Sequence, residues 1–551
     1  MVDIFRNKGL VAEVMVTLAI LAVFFALCWQ QIELPGLHPD EAQEVVPLVQ
    51  IMRGLPYETL RDHGLWIGGQ RFPLMIQDYI GAVNTYLYAP FALLLGVNVA
   101  SLRLMSVLTS IVTLLLVQQL GRAWGGRWVG LLATLLLAMQ PSFIFWSRQG
   151  VYVTFVTVPL TLGALLCGWH WWRSGGRPGS LYLGMFLLGL GISAKLLAGW
   201  AVFGVGGAFA LLYGLPRLRD VLRARSLAPL GIAIGWRQVL IAGACLAAGL
   251  FMLIVYNLQT GGTFAILRDF GGTSYYGVDN RSLIENFAGR VDNLRVTLTG
   301  EQFWYLTSGP QYHNPLWWWI LPLLGVLTGL ASAWRARERW RAFAFAPLAV
   351  TLMLASSVFT VSALWATHMA IVMPFPALGV ALWLGLLWCA MAGRLAWLRL
   401  SLVVVVVLLI AHDLAVVRAY HADLSRLGGF LGHSAAVYRL MDALDAEPDA
   451  PLYAVDWGIQ NQVRFLSAGL RQPIDIAGTD FAPDPGFADR VRASLATEDA
   501  LYIFHAPGDT VFQRRAAFLE VLKAAGRDIQ EPQLIYDVTG RPVFEIVRLK
   551  P

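Results

Sequence analysis

Two adjacent carboxylates, in the run His38-Pro39-Asp40-Glu41-Ala42, stand just beyond the first apolar stretch of this 551-residue chain. Neither hydrophobicity nor solubility calls for an acid pair there, whereas a site that takes a proton from an acceptor hydroxyl or amine does. Asp40 is therefore the candidate general base, with Glu41 beside it. An aspartate at this point can also N-cap a helix running to Arg53, with Gln43 completing a capping box and Gly54 stopping the helix. The two roles are compatible, because amide donors and the helix dipole favour the ionised carboxylate. On such a helix adjacent residues diverge, while Asp40 and Glu44 share a face.

Three basic side chains are candidates for holding an anion. Lys195, in Gly191-Ile192-Ser193-Ala194-Lys195-Leu196-Leu197, lies where two apolar stretches meet. A lysine among apolar residues is costly and either snorkels to an interface or serves a site; as a mobile point charge it suits a phosphate. Arg148, in Trp146-Ser147-Arg148-Gln149-Gly150, and His368, in Trp365-Ala366-Thr367-His368, occupy similar positions at the ends of apolar stretches. The segment after the acid pair adds His63, Arg71, Tyr86 and Tyr88 as candidate substrate contacts. Aromatic and polar groups together suit sugar stacking, although Tyr and Trp also populate interfacial belts.

The scaffold for these residues is a membrane protein. With 57% hydrophobic and only 14% charged residues, 21 Trp and a mean hydropathy of +0.59, the chain cannot cover its apolar surface as an ordinary soluble protein. Spans are predicted at 10–30, 100–120, 128–145, 151–172, 181–194, 196–213, 238–257, 314–333, 343–361, 369–390 and 398–417, about eleven in all. The first is long enough to span and lacks a small-residue cleavage site, so it reads as a helix rather than a signal peptide. Every second connector is basic (Arg122 and Arg127, Arg173 and Arg177, Arg217 to Arg225, Arg335 to Arg341, Arg394 and Arg399), which assigns these to the cytoplasm. The net charge of +6 thus reflects topology and not a nucleic-acid partner. Cys28, Cys167, Cys245 and Cys389 lie in apolar stretches without metal-ligand spacing and read as packing residues.

The opposite connectors, 31–99 and 258–313, are long and rich in aromatic, Gly and polar residues, and they hold the candidate chemistry. The expected division is a transmembrane domain over 1–418 and a soluble domain over 419–551 on the outer side. In that tail Pro451 to Val455 and Ala500 to His505 read as strands and Val511 to Ala525 as an amphipathic helix. Leu534 to Val538 and Pro542 to Val547 form a hairpin about Thr539-Gly540, which suffices for a small α/β domain.

Taken together, Asp40-Glu41, Tyr86-Leu87-Tyr88-Ala89-Pro90-Phe91, Ser147-Arg148, Ala194-Lys195 and a late His368 before Met373-Pro374-Phe375-Pro376 resemble bacterial GT-C glycosyltransferases. The nearest kinds are those akin to protein O-mannosyltransferases and lipid A aminoarabinose transferases. The resemblance implies a GT-C fold and a polyprenyl-phosphate sugar donor. It also implies an acceptor that is a lipid, glycan or protein, inversion at the anomeric carbon, and a bacterial inner-membrane location with the N-terminus cytoplasmic. It assigns Asp40, with Glu41, to catalysis and Lys195, Arg148 and His368 to the carrier phosphate. Relatives often place an Asp shortly after the Arg; here the run is Gln149-Gly150-Val151-Tyr152-Val153-Thr154, so no cofactor is assigned and a divalent metal is left open. A transporter or flippase, or a non-catalytic assembly scaffold, are the rival readings. The clustering of ionisable residues at helix ends on one side favours transfer chemistry over paired charges at the bilayer midplane.

Overall fold

The computed structural model describes residues 2–55, 57, 59–149, 154–232, 234–269, 279–335, 340–359, 366–391, 393–478 and 483–550. Residues 150–153 of the run after Arg148, residues 270–278 of the second long connector, Arg337, Arg339 and Trp365 lie outside them.

Helices dominate. The first nine are α1 (Val2–Trp29), α2 (Pro39–Met52), α3 (Val83–Leu95), α4 (Val99–Gly125), α5 (Arg127–Met139), α6 (Pro141–Gln149), α7 (Thr154–Arg173), α8 (Pro178–Ala194) and α9 (Ala198–Phe209). Among the described residues four helices are long and apolar enough to cross a membrane, or up to six if each of two bent pairs is one span. Leu10, Val11, Met15 and Leu18 of α1 are exposed, while Phe24 and Cys28 are buried. Large apolar side chains left uncovered along a helix of this length face lipid.

Two expected spans are broken. The stretch read as 128–145 is two helices, α5 and α6, bent by 68°. Gln140 leaves the helical region (φ −71°, ψ 128°), and Pro141, with no N–H to donate, starts a new helix. All of α6 is buried as a result, and it carries Arg148 and Gln149 inward. The stretch 238–257 is likewise Trp236–Gly249 and Phe251–Thr260, bent by 69°. The bend falls where Gly249 crosses Gly189 of α8. A Cβ on Gly249 would lie 2.3 Å from the Phe186 carbonyl oxygen and one on Gly189 2.4 Å from that of Leu246, so only hydrogen fits.

The long connectors are structured. Between α2 and α3 the chain forms the antiparallel pairs β1 (Leu65–Ile67) with β2 (Gln70–Phe72) and β3 (Met75–Gln77) with β4 (Ile80–Gly81). The last long helix, Arg399–Leu427, carries the chain through residue 419 into the C-terminal domain and stops at Gly428, whose φ is +71°. There β5 (Leu452–Ala454), β6 (Ile474–Asp475), β7 (Leu501–His505), β8 (Gln533–Tyr536) and β9 (Pro542–Val547) make a five-stranded sheet in the order β6-β5-β7-β9-β8. β5 is parallel to β6 and β7, and β9 is antiparallel to β7 and β8. The expected hairpin and helix are present, the latter as Arg515–Ala524.

This domain sits on α2. Gln462 Nε2 donates to the Leu37 carbonyl at 2.7 Å, Gly36 N–H donates to the His433 carbonyl at 2.7 Å, and the Gln50 and Gln472 side chains bond at 3.0 Å. The start of α2 is therefore held from both sides.

Candidate active site

The N-cap of α2 is His38, not Asp40. His38 is extended (φ −76°, ψ 145°), its Nδ1 accepts the Asp40 N–H at 3.2 Å, and Glu41 Oε1 accepts the His38 N–H at 3.2 Å. The box thus closes through Glu41 rather than Gln43, because Pro39 takes the first helical position, where a missing N–H costs nothing. Asp40 is released from capping.

Glu41 is wholly buried and faces the protein interior. Its carboxylate takes a two-pronged ion pair from Arg103 of α4, with Nε at 3.0 Å and Nη2 at 2.8 Å. Arg103, also wholly buried, donates to the carbonyls of Ile32 at 2.7 Å, Pro35 at 2.8 Å and Gly36 at 3.3 Å. One guanidinium thus fastens both the turn before α2 and the helix itself, a geometry that lysine cannot reproduce.

Asp40 points the other way. Its side chain is 36% exposed, against 0% for Glu41, which leaves it open to a substrate. Glu44, one turn on, is buried, and its Oε2 has no hydrogen-bond partner among the described residues. Burial pushes the Glu44 carboxyl up to about 8, opposed by the charge of Lys195 and reinforced by that of Asp40.

Lys195 caps the C-terminal end of α8 in extended backbone (φ −158°, ψ 131°) and forms an antiparallel bridge with Ile80 of β4. Leu196 N–H donates to the Tyr79 carbonyl at 3.2 Å, which stitches the first connector to this junction. Gly81 makes that approach possible, since a Cβ there would lie 2.2 Å from the Ser193 carbonyl oxygen. The ammonium is buried, yet among the described residues no carboxylate lies within ion-pair distance of it. The charges that bear on it are Glu44 and Asp40. His368, in the short turn Ala366–Ile371, stands near enough to feel Lys195 and Arg290, meets Trp200 edge-on at 6.4 Å, and has an Nδ1 without a partner among the described residues. Asn84, Gln149 and Glu44 add further buried polar atoms in the same condition. A native fold tolerates few such atoms, and those on Glu44 and His368, the two groups whose charges couple to Lys195, leave polar capacity open beside the lysine.

The other candidates lie apart from this group. Arg148 is buried behind the Glu41 face, where Nη2 donates to the carbonyls of Gln30, at 2.5 Å, and Gln31, and Nη1 meets His421 Nδ1 at 3.3 Å. It fastens the end of α1. Arg71 pairs with Asp62 and lies 4.9 Å from the Trp66 ring, and exposed His63 bonds the Arg61 carbonyl. Tyr86 donates to the Pro73 carbonyl at 2.5 Å, and wholly buried Tyr88 shares a 2.8 Å bond with Ser101. These side chains spend their polar atoms on holding the connector together. Among the described residues no three His, Cys, Asp or Glu side chains gather as a metal-binding set.

Arg103 is the residue that sequence reasoning passed over, and Glu44, placed on the Asp40 face, was given no role. An arginine inside the apolar stretch 100–120 was itself a signal, since charge within a span is retained only for a purpose.

Residues 82–235 match the family model for dolichyl-phosphate-mannose-protein mannosyltransferase, a stretch that includes Arg103, Arg148 and Lys195. No curated protein matches by sequence. Over nearly its whole length the chain superposes on ArnT from Cupriavidus metallidurans bound to undecaprenyl phosphate, with a TM-score of 0.58, 13% identity and 98% of each chain covered. The chain has the GT-C fold. A second GT-C structure, the archaeal oligosaccharyltransferase AglB from Archaeoglobus fulgidus in complex with an inhibitory peptide and a dolichol-phosphate, matches with a TM-score of 0.50 and 12% identity. That match covers 90% of this chain and 69% of AglB. In this chain, as the sequence resemblance implied, a helical body with apolar helices long enough to cross a membrane is followed by a small sheet domain.

Proposed function

We propose that this protein is an inverting glycosyltransferase that moves one sugar from a polyprenyl-phosphate donor to a lipid, glycan or protein acceptor at the outer face of a bacterial inner membrane. The observation that carries the reading is the pairing of an open carboxylate, Asp40, with a buried lysine, Lys195, that forms no ion pair with an acid among the described residues. As the acceptor oxygen or nitrogen attacks the anomeric carbon, Asp40 takes its proton. The bond from that carbon to the carrier phosphate breaks, and the phosphate leaves with the electron pair beside Lys195 and His368. Base, cation and alignment are what such a displacement needs from the protein.

Glu41 and Arg148 act through position, the first by fixing α2 and the second by fixing the end of α1. The bound undecaprenyl phosphate and dolichol-phosphate named for ArnT and AglB support the donor class. The arginine-rich connectors support a cytoplasmic N-terminus and an outward-facing C-terminal domain. The two bent helix pairs are a feature shared with transporters, so the test must distinguish transfer from passage. Purified protein in nanodiscs is incubated with a panel of labelled polyprenyl-phosphate sugars and membrane-extract acceptors. Label appearing on an acceptor, dependent on Asp40, supports the proposal. Failure of every donor to lose its sugar, with donor crossing sealed vesicles instead, would favour a flippase.

A further inference from the structure

At the end of α8 opposite Lys195, α7, α8 and α9 part around a cavity of about 350 Å³. Its walls are apolar and strongly aromatic: Trp169 and Trp172 from α7, Leu188 from α8, Val205 and Phe209 from α9, and Phe345. The hydroxyl of Thr161, which also lines it, is spent on the Thr157 carbonyl at 2.8 Å. Two glycines, Gly168 on α7 and Gly206 on α9, line the cavity, and a Cβ built on either meets nothing within 4 Å. A hole of this size and polarity offers water too few partners, and pockets of a few hundred Å³ are of ligand size.

The rim is cationic. The Arg173 guanidinium lies 6.0 Å from the Trp169 ring and that of Arg341 lies 6.0 Å from the Tyr213 ring, and Arg173, Arg217 and Arg341 together surround the Tyr213 hydroxyl electrostatically. Tyr213 itself lines the cavity. Among the described residues no carboxylate forms an ion pair with Arg173 or Arg217. An apolar chamber between membrane helices, opening at a cluster of arginines of which Arg173 and Arg217 have no ion-pair partner among the described residues, is complementary to one kind of molecule in its surroundings.

We propose that this chamber binds an anionic phospholipid of the cytoplasmic leaflet, with an acyl chain between α7, α8 and α9 and the phosphate at Arg173, Arg217 and Arg341. Basic pockets between transmembrane helices on the cytoplasmic side are suited to such headgroups. The α8 helix, Pro178–Ala194, has 17 residues and so separates this rim from Lys195 by roughly 25 Å, about the depth of the hydrocarbon core. A carrier lipid whose phosphate sits at Lys195 brings only hydrocarbon to this end and has no use for three arginines. The site is therefore distinct from the donor site, and its occupancy does not depend on the sugar-transfer reading.

The test is native mass spectrometry and thermal unfolding of the full chain in detergent, with phosphatidylglycerol or phosphatidylcholine of equal chain length added back after delipidation. The wild type is expected to retain one phosphatidylglycerol and to be stabilised by it, and to prefer it over phosphatidylcholine by roughly tenfold or more, given the usual contribution of each arginine near an anionic lipid. Gly206→Leu and Gly168→Leu place a side chain in the open space. Each should abolish that retention while unfolding at no lower temperature than the lipid-free wild type. The pair Arg173→Gln and Arg217→Gln should bind both lipids equally. Equal binding of the two lipids by the wild type would overturn the proposal, as would unchanged phosphatidylglycerol retention in both leucine variants. Displacement of the lipid by undecaprenyl phosphate, with no effect of the arginine substitutions, would assign the chamber to the carrier tail instead.

Discussion

The imidazoles of His38 and His433 stack with ring centroids 4.3 Å apart, joining the cap of the helix that carries Asp40 to the C-terminal domain. Trp457 closes the other side of His38 edge-on at 5.9 Å, and a Cβ on Gly458 would lie 2.4 Å from Pro39 Cβ. The cap works only with a neutral His38, because Nδ1 must accept the Asp40 N–H.

Burial holds both histidines below their ordinary value. At His38 the charges of Asp40 and Glu41 oppose burial and that of Arg103 adds to it; at His433 the charges of His38 and Arg103 add to it. The unfolded chain therefore binds more protons than the folded one in the interval below the ordinary value of 6.5. Stability contributed by these neutral rings is fully present above that value, is lost as pH falls through the interval, and stops falling once the folded-state rings themselves protonate. The unfolding midpoint should thus drop between pH 7.5 and pH 5, and His433→Phe, which keeps the stack and removes one titration, should drop less. Parallel curves for the two proteins would exclude the stack as the acid-sensitive element.

Because His38 caps α2, replacing Asp40 need not disturb the helix. Asp40→Asn is expected to lower the rate of sugar transfer by about 10²- to 10⁴-fold, the usual contribution of a general base, with an unfolding temperature close to wild type. Turnover near the wild-type rate would remove Asp40 from the chemistry.

The Arg103–Glu41 pair makes a different kind of prediction. Arg103→Met strands a carboxylate and three carbonyls in a wholly buried site, and breaking a buried pair this way costs about 3–5 kcal/mol. Adding Glu41→Leu should recover part of that loss, since two apolar groups no longer leave a charge unpaired. Chemical or thermal unfolding of the single and double variants in one detergent measures the difference. No recovery in the double variant would mean that the carbonyls of Ile32, Pro35 and Gly36, rather than Glu41, are what Arg103 chiefly serves.

The parts legible in the sequence were those where one residue is costly on its own. Lys195 among apolar neighbours and an acid pair beyond a span stand out locally, and their convergence near α2 needs only the alternation of basic and mixed connectors. The cap shifted by two residues because histidine is not among the favoured N-caps, although Pro39 was a sign of the first helical position. The break at Gln140 carried a local sign in Gln140-Pro141-Ser142, which the apolar residues on either side outweighed; at Leu250 apolar composition continues through the bend, and only the close approach of Gly249 to Gly189 explains it. The docking of the C-terminal domain onto α2 rests on pairs such as His38 with His433 and Leu37 with Gln462. These lie some four hundred positions apart, and no local pattern announces them.

Lys195 and Glu44, whose charges couple, should affect donor use in different ways. Lys195→Ala should weaken use of the lipid-phosphate donor by roughly ten- to a hundredfold, the equivalent of one charge-assisted contact, and leave acceptor dependence unchanged. Glu44→Gln should do the opposite, and only in alkali. The Glu44 carboxyl, pushed up to about 8 by burial against the opposing charge of Lys195, is mostly protonated at neutral pH. As pH rises through that value it becomes an anion beside the place where the phosphate must sit, while Lys195, pushed down to about 8 by burial, loses its charge, so the wild-type KM for donor should climb for both reasons. The glutamine holds the neutral form at every pH, so its donor KM should match wild type at pH 7 and lie below it at pH 9. Donor titrations of the three proteins in nanodiscs at both pH values decide the matter. If Lys195→Ala loses only thermal stability and its donor dependence is unchanged, the lysine serves as an interfacial anchor and the phosphate contact passes to His368.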